Sequence, residues 1–263
     1  MIPVYNGAAF LPTTIDSLFA QTHKDFEIIV VDDGSTDSAE KLKRHYIRMS
    51  FGAKPHPEKS HCSVLTSLSP FSLSGGPLKS NYSEEQVSRC DTKIIWITNK
   101  DRHGAAYCRN IGNKMASGDI IAVCDAGDHY IPERGAVIEK MFHEKQCDIV
   151  YTAVQVSFPS GTAQFTQEAK EWDGKSKPGI SHPTVAYLKK VADYQQYHEE
   201  SVDTDLYELF LLDVFKAGYK FGFENIVTCV KVDLTGSKSY RDVKAAKELK
   251  KKRFSDYGVP YNG

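Results

Sequence analysis

Three pairs of aspartates lie at the ends of apolar segments, where carboxylates could do chemistry. The pairs are Asp32/Asp33, Asp125/Asp128 and Asp203/Asp205. Carboxylate oxygens are ligands that Mg²⁺ and Mn²⁺ prefer, and these ions often share them with substrate phosphates. Because ligands bind at the carboxyl ends of strands in a parallel sheet, we expect the first two pairs to share one edge. Aspartate is also common at strand ends for turn chemistry alone, so each pair could equally be a cap or a turn.

A phosphate ligand at this edge would need help from other groups. The sequence has neither a Walker P-loop nor a G-x-G-x-x-G segment, so the usual glycine-rich phosphate cradles are absent. A bridging metal or basic side chains such as Arg102, His103 and Arg109 would have to replace them. Arg109 is more typical of a surface or ion-pairing residue than of a phosphate ligand. His103, His129 and His182 are each more typical of structural than of catalytic histidines.

Helices and strands alternate in the first half of the chain. Helical spacing of apolar residues predicts helices around Leu11–Phe19, Ala39–Met49 and Cys108–Met115. Apolar runs predict strands at Phe26–Val31, Lys93–Thr98 and Ile120–Cys124, the first of them buried on both faces. This order is typical of a parallel sheet with crossover helices.

The second half is less regular. Its pattern predicts two strands, three helices and a loop: a helix at Glu133–Lys145, a strand in "DIVYTAVQV", a loop at Phe158–Gly179, a helix from Tyr207 to Phe215 ended by Gly218, a strand at Ile226–Val232 and a helix at Asp242–Arg253. The lysines of the last helix indicate a solvated face.

Two segments depart from this regularity. Residues from Met49 to Thr92 are rich in Ser, Pro, Lys and Gly without sustained periodicity, which predicts a disordered insert. Pro3 follows the start so closely that no full strand can precede it, and we expect a truncated first strand in a fragmentary chain.

Composition narrows the class of protein. The 263 residues are 41% hydrophobic and 25% charged with a formal net charge of -1, which favours a globular protein without a nucleic-acid partner. No apolar run approaches the roughly 18–20 residues that span a bilayer. The six cysteines form no C-x-x-C pair, so we expect free thiols in a cytoplasmic chain, with attachment at the periphery of a membrane left open.

Longer blocks resemble a known family. "IPVYNGAAFLPTTIDSLFAQTHKDFEIIVVDDGSTD" closely resembles the opening of the family 2 glycosyltransferases, which are inverting enzymes with the GT-A fold. "HGAAYCRNIGNKMASGDIIAVCDAGDHYIP" looks like the block in which an Arg-Asn-x-Gly helix precedes a strand and an Asp-x-Asp-Asp loop. "HPTVAYLKK" and "VDTDLYELFLLDVFKAGYKF" resemble its acceptor-side block.

The resemblance implies roles for particular residues. Tyr5, in the Pro-Val-Tyr-Asn turn, and Asp33 fall where the family holds the base and ribose of a nucleotide-sugar donor, most often a UDP-sugar. The donor-binding set that we expect is Pro3, Tyr5, Asp33, Arg102, Arg109 and Asp125. Asp203 falls at the general base, which removes the proton of the acceptor hydroxyl.

A divalent metal, Mn²⁺ or Mg²⁺, is also implied. Its expected ligands are Asp128, Asp125 and Asp233, where Asp125 and Asp128 take the first and last acidic positions of the Asp-x-Asp-Asp loop. The middle acidic position is Gly127, the acidic pair begins with Val202, and Asp233 stands where members often carry a histidine. If Gly127 has a positive φ, that backbone conformation alone would explain the glycine.

These observations predict a GT-A α/β fold: a Rossmann-like nucleotide-binding sheet with helices on both faces and a smaller acceptor-side subregion. We expect a donor half at residues 1–132, containing the insert at 49–92, and an acceptor half at residues 133–263. The predicted function is metal-dependent sugar transfer with inversion to a glycan, lipid or protein acceptor. The alternatives are a non-catalytic relative that binds a nucleotide or a partner, and, less well supported, a phosphatase built on the same aspartates.

Overall fold

Two β-sheets with helices packed on them form the protein in a computed structural model. The structure describes residues 1–50, 92–157, 164–202, 206–232 and 243–261. The strands are β1 (Ile2–Val4), β2 (Glu27–Asp32), β3 (Lys93–Thr98), β4 (Ile120–Ala122), β5 (His129–Tyr130), β6 (Ile149–Ser157), β7 (Gln164–Gln167), β8 (Ala186–Leu188) and β9 (Phe221–Val232). The helices are α1 (Leu11–Phe19), α2 (Ala39–Ser50), α3 (Ala105–Met115), α4 (Arg134–Lys145), α5 (Lys189–Tyr194), α6 (Tyr207–Lys216) and α7 (Val243–Asp256). A 3₁₀ turn spans His182–Thr184.

The first sheet is parallel and has the order β1-β2-β3. Val4 and Thr98 both pair with Asp32, so the three strands end at the same level. The central strand β2 is buried on both faces, as its apolar run predicted. Residues that follow these strands therefore meet at one edge, which is where the first acidic pair was expected to lie.

β1 is short, as the sequence predicted, but it continues through Pro3. Pro3 pairs with Val31, and proline is tolerated in this sheet because β1 is its edge strand. On its other side, the carbonyl oxygen of Met1 accepts a hydrogen bond from the amide of Cys124 at 3.0 Å. β1 therefore connects the first sheet to the chain that follows β4.

The second sheet has the order β4-β8-β6-β9-β5, with β7 paired to β6. β4 pairs antiparallel with β8, so the expectation that this strand continues the parallel sheet was wrong. Its partner comes from the second half of the chain: Ile121 lies opposite Tyr187, and the amide of Val123 donates to Val185. Local sequence pattern shows a strand but not its partner, and here the partner is more than 60 residues away.

Most predicted elements are confirmed near their predicted bounds. β9 begins earlier than predicted, at Phe221, and β7 lies within the predicted loop of Phe158–Gly179, of which residues 158–163 are outside the described residues. α6 is buried nearly all round, because Leu209, Phe210, Leu211 and Leu212 are fully buried. Of the predicted insert at residues 49–92, positions 49 and 50 belong to α2, and residues 51–91 lie outside the described residues.

The described cysteines behave as the composition predicted. Cys108, Cys124, Cys147 and Cys229 are free and buried. Each takes part in the packing of the hydrophobic clusters on the two sheets. Among the described residues, no helix combines the length and the apolar character that crossing a membrane requires.

Candidate active site

Asp33 holds the start of helix α3. Its carboxylate is buried and accepts hydrogen bonds from the amides of His103 at 2.9 Å and Gly104 at 2.7 Å. The side chain of Asn99 donates to the same carboxylate at 2.9 Å. A carboxylate at a helix N-terminus is stabilised by the free amides and by the helix dipole. The acid therefore connects the end of β2 to the beginning of α3.

Tyr5 lies at the same edge and is open to solvent. The guanidinium carbon of Arg102 is 4.5 Å from the centre of its ring, and the side chain of Tyr5 remains 42% exposed. Two hydrogen bonds fix the turn after Tyr5. The Asn6 side chain accepts from the amide of Thr36 at 2.8 Å, and the amide of Ala8 donates to the carboxylate of Asp37 at 2.9 Å. An exposed aromatic ring can stack on another planar ring, and the guanidinium beside it can bind an anion.

Asp125 and Arg109 form the next part of the site. The Nη2 atom of Arg109 is 3.0 Å from the Oδ1 atom of Asp125. The side chain of Arg109 is only 3% exposed, whereas that of Asp125 is 29% exposed. Arg109 is thus an ion-pairing residue, as its residue type favoured, and its buried charge is compensated by the aspartate. Asp125 keeps part of its carboxylate open to solvent.

Thr14 fixes the loop that carries the second acidic pair. Its hydroxyl lies 2.8 Å from the carbonyl oxygen of Asp128 and accepts the amide of Gly127 at 2.9 Å. Gly127 has φ +103°, a conformation that side chains with a Cβ rarely adopt, and a Cβ there would lie 3.4 Å from the Cβ of Phe10. The backbone geometry therefore accounts for glycine at this position.

The two aspartates of this loop differ in accessibility. The carboxylate of Asp128 is buried beside Cys229, with 3.9 Å between its Oδ2 atom and the sulfur. Burial, followed by the charge of Asp128, raises the pKa of the Cys229 thiol well above its usual value, so the sulfur is neutral. Asp125 is therefore the more accessible carboxylate of the pair.

The described part of the chain contains no group of three or more acidic, histidine or cysteine side chains that could hold a metal. Asp203 and Asp233, the predicted base and a predicted metal ligand, lie outside the described residues. Mg²⁺ is often held by only one or two carboxylates together with substrate phosphates. Asp125, accessible in its loop, fits an ion of this kind that is held mainly by a diphosphate.

Asn110 was missed by reasoning from the sequence. Its Nδ2 atom donates to the carbonyl oxygen of Tyr197 at 2.9 Å and to Glu199 at 2.6 Å, and its Oδ1 atom accepts the amide of Tyr197 at 2.8 Å. These bonds hold the stretch of residues 197–202, which is called the 197–202 segment below. The signal in the sequence was the amide side chain next to Arg109 in "CRNIG". The structure buries this side chain, and a buried polar group needs hydrogen-bond partners.

The 197–202 segment reaches the start of α3. Gly104 has φ +98°, and a Cβ on it would lie 2.9 Å from both Cα and the carbonyl oxygen of Val202. Only glycine lets the backbones approach this closely. The adjacent residues Arg109 and Asn110 therefore hold two different walls of the site, the Asp125 loop and the 197–202 segment.

His182 lies behind this segment. Its Nε2 atom is 3.0 Å from the hydroxyl oxygen of Tyr197, and its ring stacks on that of Tyr207 with the centroids 4.3 Å apart. Burial lowers the pKa of His182 well below its ordinary value, and the charge of Arg109 adds to this effect. The histidine is therefore a neutral, packed group at neutral pH.

The fold is the GT-A fold, which the protein shares with glycosyltransferases of known structure. The structure resembles TarS of Staphylococcus aureus in complex with UDP-GlcNAc, with a TM-score of 0.63 and 14% identity over 94% of this chain and 62% of that chain. It also resembles the mannosyltransferase PcManGT of Pyrobaculum calidifontis in complex with GDP-Man and Mn²⁺, with a TM-score of 0.63 and 16% identity over 97% of this chain and 62% of that chain.

The chain belongs to Glycosyl transferase family 2, whose profile matches residues 1–56 and 79–204. An uncharacterized glycosyltransferase of Rickettsia typhi is 34% identical over 127 residues, which cover 47% of this chain and 34% of that protein. Glycosyltransferase GlyA of Streptococcus pneumoniae is 41% identical over 149 residues, which cover 57% of this chain and 15% of that protein. These matches span about a third or less of the curated relatives.

Proposed function

We propose that this chain transfers a sugar from a nucleotide-sugar, a UDP-sugar in the first instance, to an acceptor hydroxyl with inversion at the anomeric carbon. The observation that carries the proposal is that Tyr5, Asp33 and the accessible Asp125 all contact the stretch from Arg102 to Arg109: Arg102 lies over the Tyr5 ring, the amide of Gly104 donates to Asp33, and Arg109 pairs with Asp125. Family membership and the GT-A fold support it. Residues 1–132 would bind the donor, and residues 133–263 the acceptor.

The donor edge supplies groups suited to each part of a nucleotide-sugar. Tyr5 offers an exposed ring on which a base can stack, and Arg102 lies against it as a cation. Asp33 fixes the edge and would lie beside the ribose, while Arg109 holds Asp125, which would face the diphosphate. Pro3 places Tyr5 by keeping β1 extended up to the turn.

Asp125, with Asp128 and Asp233 as further candidates, would hold Mn²⁺ or Mg²⁺. When bound, the ion neutralises charge on the departing diphosphate. Asp203 would remove the proton of the acceptor hydroxyl as that oxygen attacks, which typically accelerates a reaction by about 10²–10⁴-fold. The acceptor would be a glycan, a lipid or a protein. The free, buried thiols of the described residues support a reducing compartment, so we place the chain in the cytoplasm.

A panel of UDP- and GDP-sugars tests the proposal through nucleotide release, because many transferases hydrolyse their donor slowly without an acceptor. We expect release from one or a few donors, dependent on Mn²⁺ or Mg²⁺. The matched variant is Asp125→Asn, which keeps the shape of the side chain and removes its charge. The absence of release from every donor, together with no binding of UDP in the presence of Mn²⁺, would exclude the proposed activity.

The second candidate function is a non-catalytic relative that binds a nucleotide or a partner. It is favoured by Gly127 at an acidic position of the loop and by the pairing of Asp125 with Arg109. It predicts UDP binding without nucleotide release from any donor. The same panel, combined with calorimetry of UDP binding, separates the two functions.

A further inference from the structure

Asp213 lies between two elements that are distant in sequence. It is on α6, and its Oδ2 atom is 2.6 Å from the Nε2 atom of His198. Its Oδ1 atom accepts a short hydrogen bond from the hydroxyl of Tyr257, directly after α7. The side chains of His198 and Asp213 are 15% and 19% exposed, so water competes weakly for this carboxylate. Asp213 thus joins the 197–202 segment to the C-terminal helix.

α7 is itself fixed on α6, so Tyr257 is held on a rigid support. The Nζ atom of Lys250 lies 3.1 Å from both carboxylate oxygens of Glu208, a side chain only 4% exposed. Phe254 is fully buried, and Lys216 donates to the carbonyl oxygen of Tyr257 at 2.8 Å. Because Tyr257 is already held in place, its side chain loses little conformational freedom when its hydrogen bond to Asp213 forms.

The 197–202 segment is held from this side at a second point. The Nη2 atom of Arg253 is 2.9 Å from Glu200, and the Nδ1 atom of His198 is 3.5 Å from the same carboxylate. Two residues further on, Val202 packs on Gly104 at the start of α3. The segment therefore lies between Asn110 on one side and the α6–α7 pair on the other.

We propose that Asp213 is a positioning residue, which fixes the 197–202 segment against the donor edge by accepting hydrogen bonds from His198 and Tyr257 together. This inference rests on the proposed function for its catalytic consequence, because Asp203 follows the segment directly in sequence. Asp213 itself touches no reacting group. C-terminal helix α7 thereby becomes part of the machinery that aligns the acceptor side with the donor side.

Hydrogen–deuterium exchange of peptides covering residues 198–202 tests the positioning directly, in wild type, Asp213→Ala, Tyr257→Phe and the control Lys252→Gln. Lys252 is exposed on the same helix. We expect exchange of these peptides to accelerate about tenfold in Asp213→Ala and less in Tyr257→Phe, since hydrogen bonds to charged groups are among the stronger ones. The control should match wild type. Tyr257→Phe removes a single oxygen and keeps the test valid if Asp213→Ala does not fold.

Two further readouts separate positioning from general stability. UDP affinity in the presence of Mn²⁺ should stay within about twofold of wild type, while the maximal rate of UDP release falls about fivefold or more. Uniform acceleration of exchange across the chain, or unchanged exchange at 198–202, overturns the inference. If exchange accelerates only at residues 198–202 in the variants, but wild type releases no nucleotide from any donor, the positioning role of Asp213 stands and the proposed function is rejected.

Discussion

The Asp125 loop and the 197–202 segment are both held by α3, but in different ways. Arg109 binds the loop through one ion pair, and Thr14 fixes its backbone, so Asp125 stays partly open to solvent. Asn110 binds the segment through three hydrogen bonds that are largely shielded from water. The carboxylate of the Asp125 loop thus stays partly open to solvent, whereas the contacts that hold the 197–202 segment are largely shielded from water, and both regions are fixed by residues far apart in sequence.

The difference has a consequence for variants. Changes on the donor side should alter nucleotide binding, whereas changes behind the segment should alter turnover and leave nucleotide binding intact. Variants of single residues test whether nucleotide binding and turnover respond separately in this way.

The largest effect is expected for Asp203→Asn. It removes the proposed base, so turnover should fall by about 100-fold or more, while UDP affinity changes little. Steady-state release of UDP and calorimetry of UDP binding, measured on the same preparation, check the prediction. Equal losses of affinity and rate would make Asp203 a structural residue, such as a cap of α6.

Asn110→Ala should have the next largest effect. It leaves both backbone groups of Tyr197 without their side-chain partner, which destabilises a protein by about 1–3 kcal/mol when such groups are buried. We expect turnover to fall about tenfold with UDP affinity maintained. The matched control is Asn113→Ala on the same helix, which removes a buried hydrogen bond to Tyr187 instead. A similar loss of turnover in both variants would contradict the special role of Asn110.

Gly127→Asp addresses the altered position of the acidic loop. An aspartate there would restore a ligand oxygen at the middle acidic position, but the backbone has φ +103°, which strains any residue with a Cβ. The variant should therefore be destabilised by about 1 kcal/mol, or roughly 2–4 °C in Tm. Gly127→Ala controls for the strain alone. Unchanged stability together with tighter Mn²⁺-dependent UDP binding would refute this interpretation.

His198 should give the smallest effect, a change in stability with pH. Hydrogen bonding to Asp213 raises its pKa, with further contributions from Glu200 and an opposing one from Arg253. The pKa of His198 is higher in the folded than in the unfolded protein. The stabilisation that protonated His198 contributes to the free energy of unfolding is therefore complete below the ordinary histidine pKa of about 6.5, and it disappears as pH rises through the raised pKa. Urea unfolding of wild type and His198→Gln should converge above that range; a constant difference at every pH would contradict the assignment.

Sequence pattern predicted the parallel part of the fold well, because its strands are clear apolar runs that alternate with helices. Strand β2 and the edge at which its acidic pair lies followed from this pattern and from the rule for strand ends, whereas the roles of Tyr5 and Asp33 were implied by the resemblance to the family. β4 was assigned to the wrong sheet, since its partner Tyr187 comes from the other half of the chain. Strand pairing between distant segments leaves no local signature.

The site was predictable in residue type and less so in geometry. Spacing brought forward Asp33 and Asp125, but it could not show that Asp33 is enclosed by backbone amides or that Asp128 is buried. Asn110 and Asp213 were missed, because their importance lies in contacts with residues far along the chain. Such contacts arise from tertiary packing and have no counterpart in helical or strand periodicity.

A nucleoside diphosphate is proposed to bind, together with a divalent ion, at the edge formed by Tyr5, Asp33 and Asp125. Calorimetric titration of UDP, with and without Mn²⁺, tests this binding most directly in wild type, Asp125→Asn, Asp128→Ala and the exposed control Glu248→Gln. We predict binding that needs Mn²⁺ in wild type and in the control, and at least about tenfold weaker binding in Asp125→Asn. UDP binding that is equally tight in Asp125→Asn and wild type, or that does not depend on Mn²⁺, would contradict metal-dependent binding of the donor at this edge.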